Sequence, residues 1–393
     1  MITLGCRLNI AESESIRALL GSRDVVVVNS CAVTNAAVKA TRAAIRRARR
    51  ARPHAELLVT GCAATIDPAG FAAMREVDRV VANPDKLTAL AWGAVAPALP
   101  ARFEGHARAI VEVQNGCDHR CTFCAIPAGR GPSRSVPAGV VVERIAALVA
   151  GGHNEVVLSG VDVTSYGHDL PGRPTLGLLV ERILKLVPAL PRLRLSSLDG
   201  IEIDARLFEL LTQEPRVMPH VHLSLQAGDD LILKRMKRRH TRAQSVALVE
   251  RLAAARPEIA IGADLIAGFP TEDAAAFANT LALIDDCAVV HAHVFPYSPR
   301  HGTPAARMPQ VAGPVIAERA ARLRARASER RAAWLATLVG TEQHILVEAP
   351  GDRGHAANFA EVRLSPPPSA QPGTLLHATI VRADNDHLHG IAS

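Results

Sequence analysis

Three cysteines stand at Cys117, Cys121 and Cys124, a CxxxCxxC spacing on one short stretch. A cubane cluster of four irons is usually tied by four thiolates. Three thiolates on one tight loop therefore leave one iron without a protein ligand, open to a substrate or cofactor. The same stretch can in principle hold zinc, which prefers four closed nitrogen or sulfur ligands when structural. His119 lies inside the spacing, and no fourth cysteine is nearby in sequence. The spacing favours the cluster.

Three further cysteines, Cys6, Cys31 and Cys62, each follow a short apolar run by one to three residues: Ile2 to Leu4, Val25 to Val28 and Leu57 to Thr60. These runs read as buried strands, and Ala11 to Leu20 and Ala36 to Ala51 between them as helices. Such alternation implies a parallel sheet whose strands end along one edge, where ligands bind. The three thiols are expected to converge there. Taken alone, lone cysteines at strand ends are more often packing residues. Cys287 precedes a later strand, at the structural end of a barrel, and reads as packing.

The segment Gly93 to Gly105 reads as a linker. Six strand candidates follow it: Ile110 to Val113, Glu155 to Leu158, Arg192 to Ser196, His220 to Leu225, Ile259 to Ile266 and Val289 to Phe295. Helical segments separate most of them, which suggests a (β/α) barrel or part of one, with chemistry on the loops after the strands. His220 and His222, like His291 and His293, alternate with apolar neighbours and face one side of a strand. An Arg-rich helix runs from Pro314 to about Leu338. Short β-like runs then occupy Gln343 to Glu348, Phe359 to Leu364, Leu375 to Arg382 and His387 to Ile391, a pattern suited to a small antiparallel barrel.

The 393 residues carry 45 Lys and Arg against 38 Asp and Glu, a net charge of +7, which invites a polyanionic partner. Only 3% are aromatic, so few rings are available to stack single-stranded bases. Seven cysteines, an odd number, without a secretory signal argue against a disulfide framework. No stretch has the length and apolarity of a membrane span, and the expectation is a cytoplasmic protein. Three basic runs, Arg42 to Arg52, Lys234 to Arg242 and Arg319 to Arg331, are candidate RNA contacts, with Arg42, Arg46 and Arg49 or Arg50 on one helical face.

The triplet, from Gln114-Asn115-Gly116-Cys117 to Ile126-Pro127, resembles the signature of radical S-adenosylmethionine (SAM) enzymes, in particular the methylthiotransferases. The resemblance extends over almost the full chain, through Gly131 to Ser135, Ser159 to Gly167, Arg194 to Leu198, His222 to Asp229, Asp264 to Pro270 and Phe295 to Arg300. It implies that Cys117, Cys121 and Cys124 hold a [4Fe-4S] cluster whose open iron chelates SAM, and that Gly160, Gln226, Ile266 and Gly268 cradle SAM. It implies a second [4Fe-4S] cluster on Cys6, Cys31 and Cys62, associated with sulfur transfer.

The implied architecture is α/β: a flavodoxin-like parallel-sheet domain over 1–98, a partial (β/α)6 radical SAM barrel over 103–335, and a small C-terminal antiparallel β-barrel, TRAM-like, over 336–393. The branch most similar in sequence acts on N6-threonylcarbamoyladenosine at position 37 of tRNA, in the anticodon loop, and adds a methylthio group at C2. It would consume two SAM and need a reductant and a sulfur donor, with no membrane partner. Isopentenyladenosine 37 of tRNA and an aspartate of a ribosomal protein are the rival substrates; a zinc-dependent RNA-binding protein is the rival that is not an enzyme.

Overall fold

The computed structural model describes residues 1–94, 103 and 105–392. Its first layer is a four-stranded parallel sheet, β1 (Ile2–Thr3), β2 (Val25–Ser30), β3 (Glu56–Gly61) and β4 (Arg79–Val80), ordered as in the chain. The connections are α1 (Arg7–Leu20), α2 (Asn35–Ala51), α3 (Cys62–Ile66) and α4 (Pro68–Ala72). Alternation along the valine run of β2 splits its faces: Val26 and Val28 pack with Ile45 and Ala48 of α2, and Val27 with Ile16 and Leu19 of α1. Because the strands run in chain order yet α1 and α2 cover opposite faces, the two crossovers have opposite hands. One of them departs from the right-handed rule.

The second layer holds six parallel strands: β5 (Ala109–Glu112), β8 (Glu155–Ser159), β9 (Arg192–Leu195), β10 (His220–Gln226), β11 (Ala260–Ala267) and β12 (Val289–Pro296). Ladders join them in two groups of three, and single bridges, Leu193 to Val217 and Leu198 to Leu223, make one curved wall of both. A two-residue antiparallel ladder, β6 (Gln114–Asn115) with β7 (Arg134–Ser135), closes the triplet loop, which also holds α5 (Ile126–Arg130). The outer helices are α6 (Ala138–Ala150), α7 (Leu176–Leu186), α8 (Ala205–Gln213), α9 (Asp230–Arg235), α10 (Arg242–Ala255), α11 (Ala274–Asp286) and α12 (Gly313–Ala336). Side chains fix their starts: Asp204, Thr241 and Asp273 cap α8, α10 and α11 by accepting from the backbone N–H groups of Leu207, Gln244 and Ala276, three residues on. No ladder among the described residues joins β12 back to β5. Ala11 of α1 enters the core beside Ala109 and Val141 on that side.

Of the expected linker Gly93 to Gly105, residues 95–102 and 104 lie outside the described residues. Phe103 is buried, and its N–H donates to His153 Nε2 at 3.0 Å.

The C-terminal strands β13 (Glu342–Glu348), β14 (Arg353–Ala356), β15 (Glu361–Leu364), β16 (Leu375–Ala383) and β17 (Leu388–Ala392) close in the order β13-β14-β15-β17-β16. Four pairings are antiparallel, and β15 with β17 is parallel. Parity requires this, since an odd number of strands cannot close with every neighbour antiparallel. The sequence pattern missed β14, whose Gly354 lies where a Cβ would come 2.1 Å from Leu346 O.

This barrel docks on the N-terminal ends of the six-strand wall. Arg192 Nη2 donates to His344 O at 2.8 Å, Arg194 Nη1 to Ala357 O at 3.1 Å, and Arg108 pairs with Glu348 at 2.6 Å. The Phe359 ring lies under the guanidinium groups of Arg194 (4.8 Å), Arg7 (5.3 Å) and Arg108 (5.5 Å), and 5.1 Å from His220. Buried Glu155 takes up the charge of Arg108 and Arg194 at 2.8 and 3.1 Å.

His220 and His291 line this base. Burial, then neighbouring cations and imidazoles, hold His220 well below the usual imidazole range and bring His291 down to about 3. Both are therefore neutral in the folded protein at neutral pH, while the unfolded chain takes up protons near pH 6.5. Folding stability is full above that pH and is lost as pH falls from about 6.5 toward 3. Denaturant titrations at pH 7.5 and 5.5 should show lower stability at the acid end, and His291→Phe should flatten that slope. An unaltered slope in His291→Phe removes His291 from the account.

Candidate functional site

The triplet loop is held at both ends. Gly116 adopts φ +74, and a Cβ there would lie 1.9 Å from Pro132 O, so only glycine lets the loop start this close to its own return. Cys117 N–H donates to Gly131 O at 3.1 Å, and Ser133 N–H to Asp118 Oδ1 at 3.1 Å. Thr122, between the second and third cysteines, donates to Met236 O (3.1 Å) and Arg235 O (2.8 Å) and accepts from Ala305 N (2.9 Å). The loop is thereby tied to the segments following β10 and β12. Burial first, then Asp162, Cys124 and Cys121, push Cys117 up to about 12; burial, Cys121 and Cys62 push Cys124 up to about 11.

On the other side, Cys6, Cys31 and Cys62 converge at the carboxyl edge of the first sheet, as the strand pattern anticipates. Gly5, at φ +96, passes so close that a Cβ would meet Cys31 Sγ at 2.7 Å. Cys62 opens α3 directly after β3. Burial raises Cys31, and Cys6 and Cys62 raise it further. The two triads face each other: α3 packs on α5, where a Cβ on Gly129 would touch Cys62 Cβ at 3.2 Å. Cys287 stands apart, buried at the end of α11 ahead of β12.

A buried polar knot, which sequence reading missed, joins the triads. Arg130, the last residue of α5, pairs with Glu12 of α1, donates from Nη2 to Asn9 Oδ1 at 2.6 Å, and donates from Nε to Cys62 Sγ at 3.0 Å. Lys86 holds Glu12 at 2.5 Å, and Trp92 Nε1 fixes Lys86 through its carbonyl at 2.7 Å. Asn9 also donates to Leu4 O (2.6 Å) and Ser30 O (3.1 Å), which locks the approaches to Cys6 and Cys31. A usable signal existed: Asn9 and Glu12 share one face of α1 at i, i+3.

Both triads suit an iron-sulfur cluster. Each offers three thiols without a fourth protein thiol; N–H donors lie against Cys62 (Arg130, and Asn83 at 3.6 Å) and Cys121 (Arg238 Nη1, 3.7 Å), while Asp162, paired with His119, lies 3.9 Å from Cys117. Such donors stabilise sulfur charge and do not compete for metal.

Gly160 lies where a Cβ would come 2.8 Å from Gln114 O. Gln114 Oε1 accepts from Val161 N (3.1 Å) and Asp162 N (2.8 Å), and its Nε2 donates to Gly116 O (2.8 Å), which couples the Gly160 turn to the triplet loop. Gln226 ends β10 at φ +67, a conformation non-glycine residues adopt at a cost of about 1 kcal/mol and one common at functional sites. Ile266 packs with Phe269 and Tyr297. Gly268, at φ +71, sits against Ile316, and its N–H is already given to Glu272 Oε1 at 3.0 Å.

Around the triplet lies a charged ring. Asp199 accepts from Arg238 (3.0 Å) and Arg239 (3.1 Å), and Glu202 from Arg239 (2.8 Å). His119 pairs with Asp162 at 2.8 Å, and that hydrogen bond raises its pKa. Two of the three basic runs are thus partly internal: Arg238 and Arg239 serve this ring, and Arg319 holds Glu272 at 2.8 Å. On α2, Arg42 and Arg49 pair with Asp67 and Asp78, leaving Arg46, Arg47 and Arg50 exposed. The helix begins at the mouth, where Asn35 N–H donates to Ser298 Oγ at 3.2 Å.

A six-strand parallel wall with a CxxxCxxC loop after its first strand defines a radical SAM protein, and residues 111–284 match the radical SAM superfamily. Residues 1–82 match the family described as uncharacterized protein family UPF0004. The threonylcarbamoyladenosine tRNA methylthiotransferase MtaB of Rickettsia prowazekii is 47% identical, over 93% of this chain and 90% of its own length. The MtaB of Bacillus subtilis is 35% identical over 78% and 74%. A tRNA-2-methylthio-N(6)-dimethylallyladenosine synthase of Novosphingobium aromaticivorans is 35% identical over 89% and 86%. Among solved structures, the radical SAM methyltransferase TsrM of Kitasatospora setae shares the fold with a TM-score of 0.53 at 17% identity, over 75% of this chain and 66% of its own. The chain belongs to the radical SAM methylthiotransferase family. It is an enzyme of the class that uses SAM and [4Fe-4S] clusters, which removes the zinc-dependent RNA-binding protein as a reading.

Raised thiol pKa values have a direct readout. In metal-free protein Cys117 and Cys124 are protonated at neutral pH, so alkylation by iodoacetamide should be slow at pH 8 and accelerate only above about pH 10. Mass-spectrometric mapping across pH measures this; rapid labelling of both at pH 7 would contradict the raised thiol pKa values of these half-buried residues.

Proposed function

We propose that this enzyme adds a methylthio group to C2 of N6-threonylcarbamoyladenosine at position 37 of tRNA, using two SAM and two [4Fe-4S] clusters. One cluster is assigned to Cys117, Cys121 and Cys124, the other to Cys6, Cys31 and Cys62. The observation that carries this reading is the pair of cysteine triads facing one another across Arg130. The 47% identity to a relative named for threonylcarbamoyladenosine supports that branch over the dimethylallyladenosine one.

When bound, the clusters and SAM supply the reducing electron, the radical that removes the C2 hydrogen, and the methylated sulfur that replaces it. The protein's part is orientation. Gln114 couples the Gly160 turn to the triplet loop, Gln226 projects from a strained strand end, and Ile266 and Gly268 shape the floor of the SAM site. Arg238 holds positive charge beside Cys121 and Arg239 beside His119, while Asp199 and Glu202 fix their direction.

The domains are taken as 1–98 for the N-terminal cluster, 103–335 for radical SAM chemistry and 336–393 for RNA binding. The tRNA meets the enzyme by its anticodon loop, where an unpaired base is displaced at modest cost. An external reductant and sulfur donor complete the reaction. A reducing compartment such as the cytoplasm suits seven free thiols, and no described helix is long and apolar enough to cross a membrane.

Nucleosides from tRNA of a deletion strain should lack 2-methylthio-N6-threonylcarbamoyladenosine and accumulate its precursor. Wild-type protein should restore it; Cys31→Ala and Cys121→Ala should not. Purified Cys31→Ala should still cleave SAM reductively, whereas Cys121→Ala should not. Loss of the methylthio-isopentenyl nucleoside instead would transfer the function to that branch, and loss of a ribosomal-protein modification would transfer it to the protein-modifying one.

Exposed Arg46, Arg47 and Arg50 give a second test. If they neutralise tRNA phosphates, replacing all three by Gln should weaken binding and lower the log–log salt slope by about two. Identical slopes would exclude this face of α2.

A further inference from the structure

Arg130 lies in the radical SAM half of the chain, six residues after Cys124, yet its side chain is spent on the other triad. Its guanidinium is 3% exposed as a residue, and every one of its donor nitrogens is engaged. Nη1 meets Glu12 Oε1 and Asn115 Oδ1 (3.3 Å), and Nη2 meets Asn9 Oδ1 (2.6 Å) and Glu12 Oε2 (3.1 Å). A guanidinium has five N–H groups. These four contacts leave Nε–H, which points at Cys62 Sγ from 3.0 Å.

We propose that Arg130 is a positioning residue for the N-terminal cluster, supplied by the opposite domain, which fixes Cys62 and raises that cluster's reduction potential. The inference rests on the two-cluster reading above. A planar fork held on two sides by Glu12 and Asn9 cannot rotate, so the direction of Nε–H is set before any cluster arrives. Hydrogen bonds and positive charge at cluster sulfur favour the reduced, more negative state.

Charge bookkeeping points the same way. Glu12 is paired with both Lys86 and Arg130, and burial and Glu12 raise the pKa of neighbouring Glu112, which favours its neutral form, so this dry set carries no net negative charge beside the thiolates. Cys62 also receives Asn83 Nδ2 at 3.6 Å, whereas Cys6 and Cys31 receive backbone N–H groups, those of Asn9 and Val33. The side-chain donors, and with them the guanidinium charge, are therefore concentrated at one corner of the cluster, the one that faces the triplet.

The test uses the full chain carrying Cys117→Ala, Cys121→Ala and Cys124→Ala, reconstituted without oxygen so that only the N-terminal triad can hold iron. Iron and sulfide are counted, and a redox titration is followed by electron paramagnetic resonance. Adding Arg130→Gln should retain the cluster and shift its one-electron equilibrium at least tenfold toward the oxidised form, about 59 mV more negative. Arg130→Lys keeps the charge beside Glu12 without the fixed Nε–H, and should fall between the two. Where Arg130→Gln holds no cluster, the Lys variant decides by its smaller shift in the same direction. An intact cluster with unchanged potential in the substituted proteins overturns the role of Arg130 and leaves two clusters standing. A parent protein that binds no iron-sulfur cluster overturns both.

Discussion

The arrangement depends on one buried ion pair, Arg130 with Glu12. Both side chains are out of water, at 2% and 0% exposure. Charges in such a place cost several kcal/mol each to desolvate, and breaking such a pair typically costs about 3 to 5 kcal/mol because the remaining charge is stranded. Neither partner can leave without the other. Since Glu12 belongs to the first sheet domain and Arg130 to the loop bearing the triplet, the pair fixes how the two cysteine triads face each other. Lys86 and Asn9 complete the satisfaction of these groups, and Trp92 keeps Lys86 in place.

That constraint accounts for other irregularities near α1. The helix serves two masters: Ile16 and Leu19 pack on the first sheet, and Ala11 enters the core of the six-strand wall. A helix needed on that side explains why α1 and α2 lie on opposite faces of a sheet whose strands run in chain order. The first of these two connections leaves a strand, β1, that is only two residues long and makes few ladder bonds.

The opposite end of the wall shows the same logic with different chemistry. Glu155, Arg108, Arg192 and Arg194 fill the barrel base with charge, and Phe359 and Trp334 seal it. The C-terminal barrel is therefore an integral plug with an extensive buried contact. Its Phe359 loop faces the base and is withdrawn from any outside partner.

How much of this was legible in the chain follows from the range of each interaction. Local patterns carried the six cysteines, the strand ends that bear them, nine of the parallel strands in sequence order and the closing run of short β segments. Spacing in CxxxCxxC and the glycines at positions 5, 61 and 116 are local facts, because a loop's curvature is set by neighbours in the chain. Strand β14 escaped because its Arg-Gly-His-Ala sequence has no apolar alternation, and the parallel β15–β17 pair because closure parity is a property of the whole barrel. Which arginines of the basic runs stay free was not legible for a related reason: whether an arginine meets solvent or a carboxylate far along the chain, as Arg49 meets Asp78 and Arg319 meets Glu272, is not written in its own segment. The sequence by itself determined which residues could hold metal and in what fold class. Only the tertiary structure decided that Arg130 reaches Cys62, 68 residues away, since that contact exists only after two separate cores have formed and been pressed together.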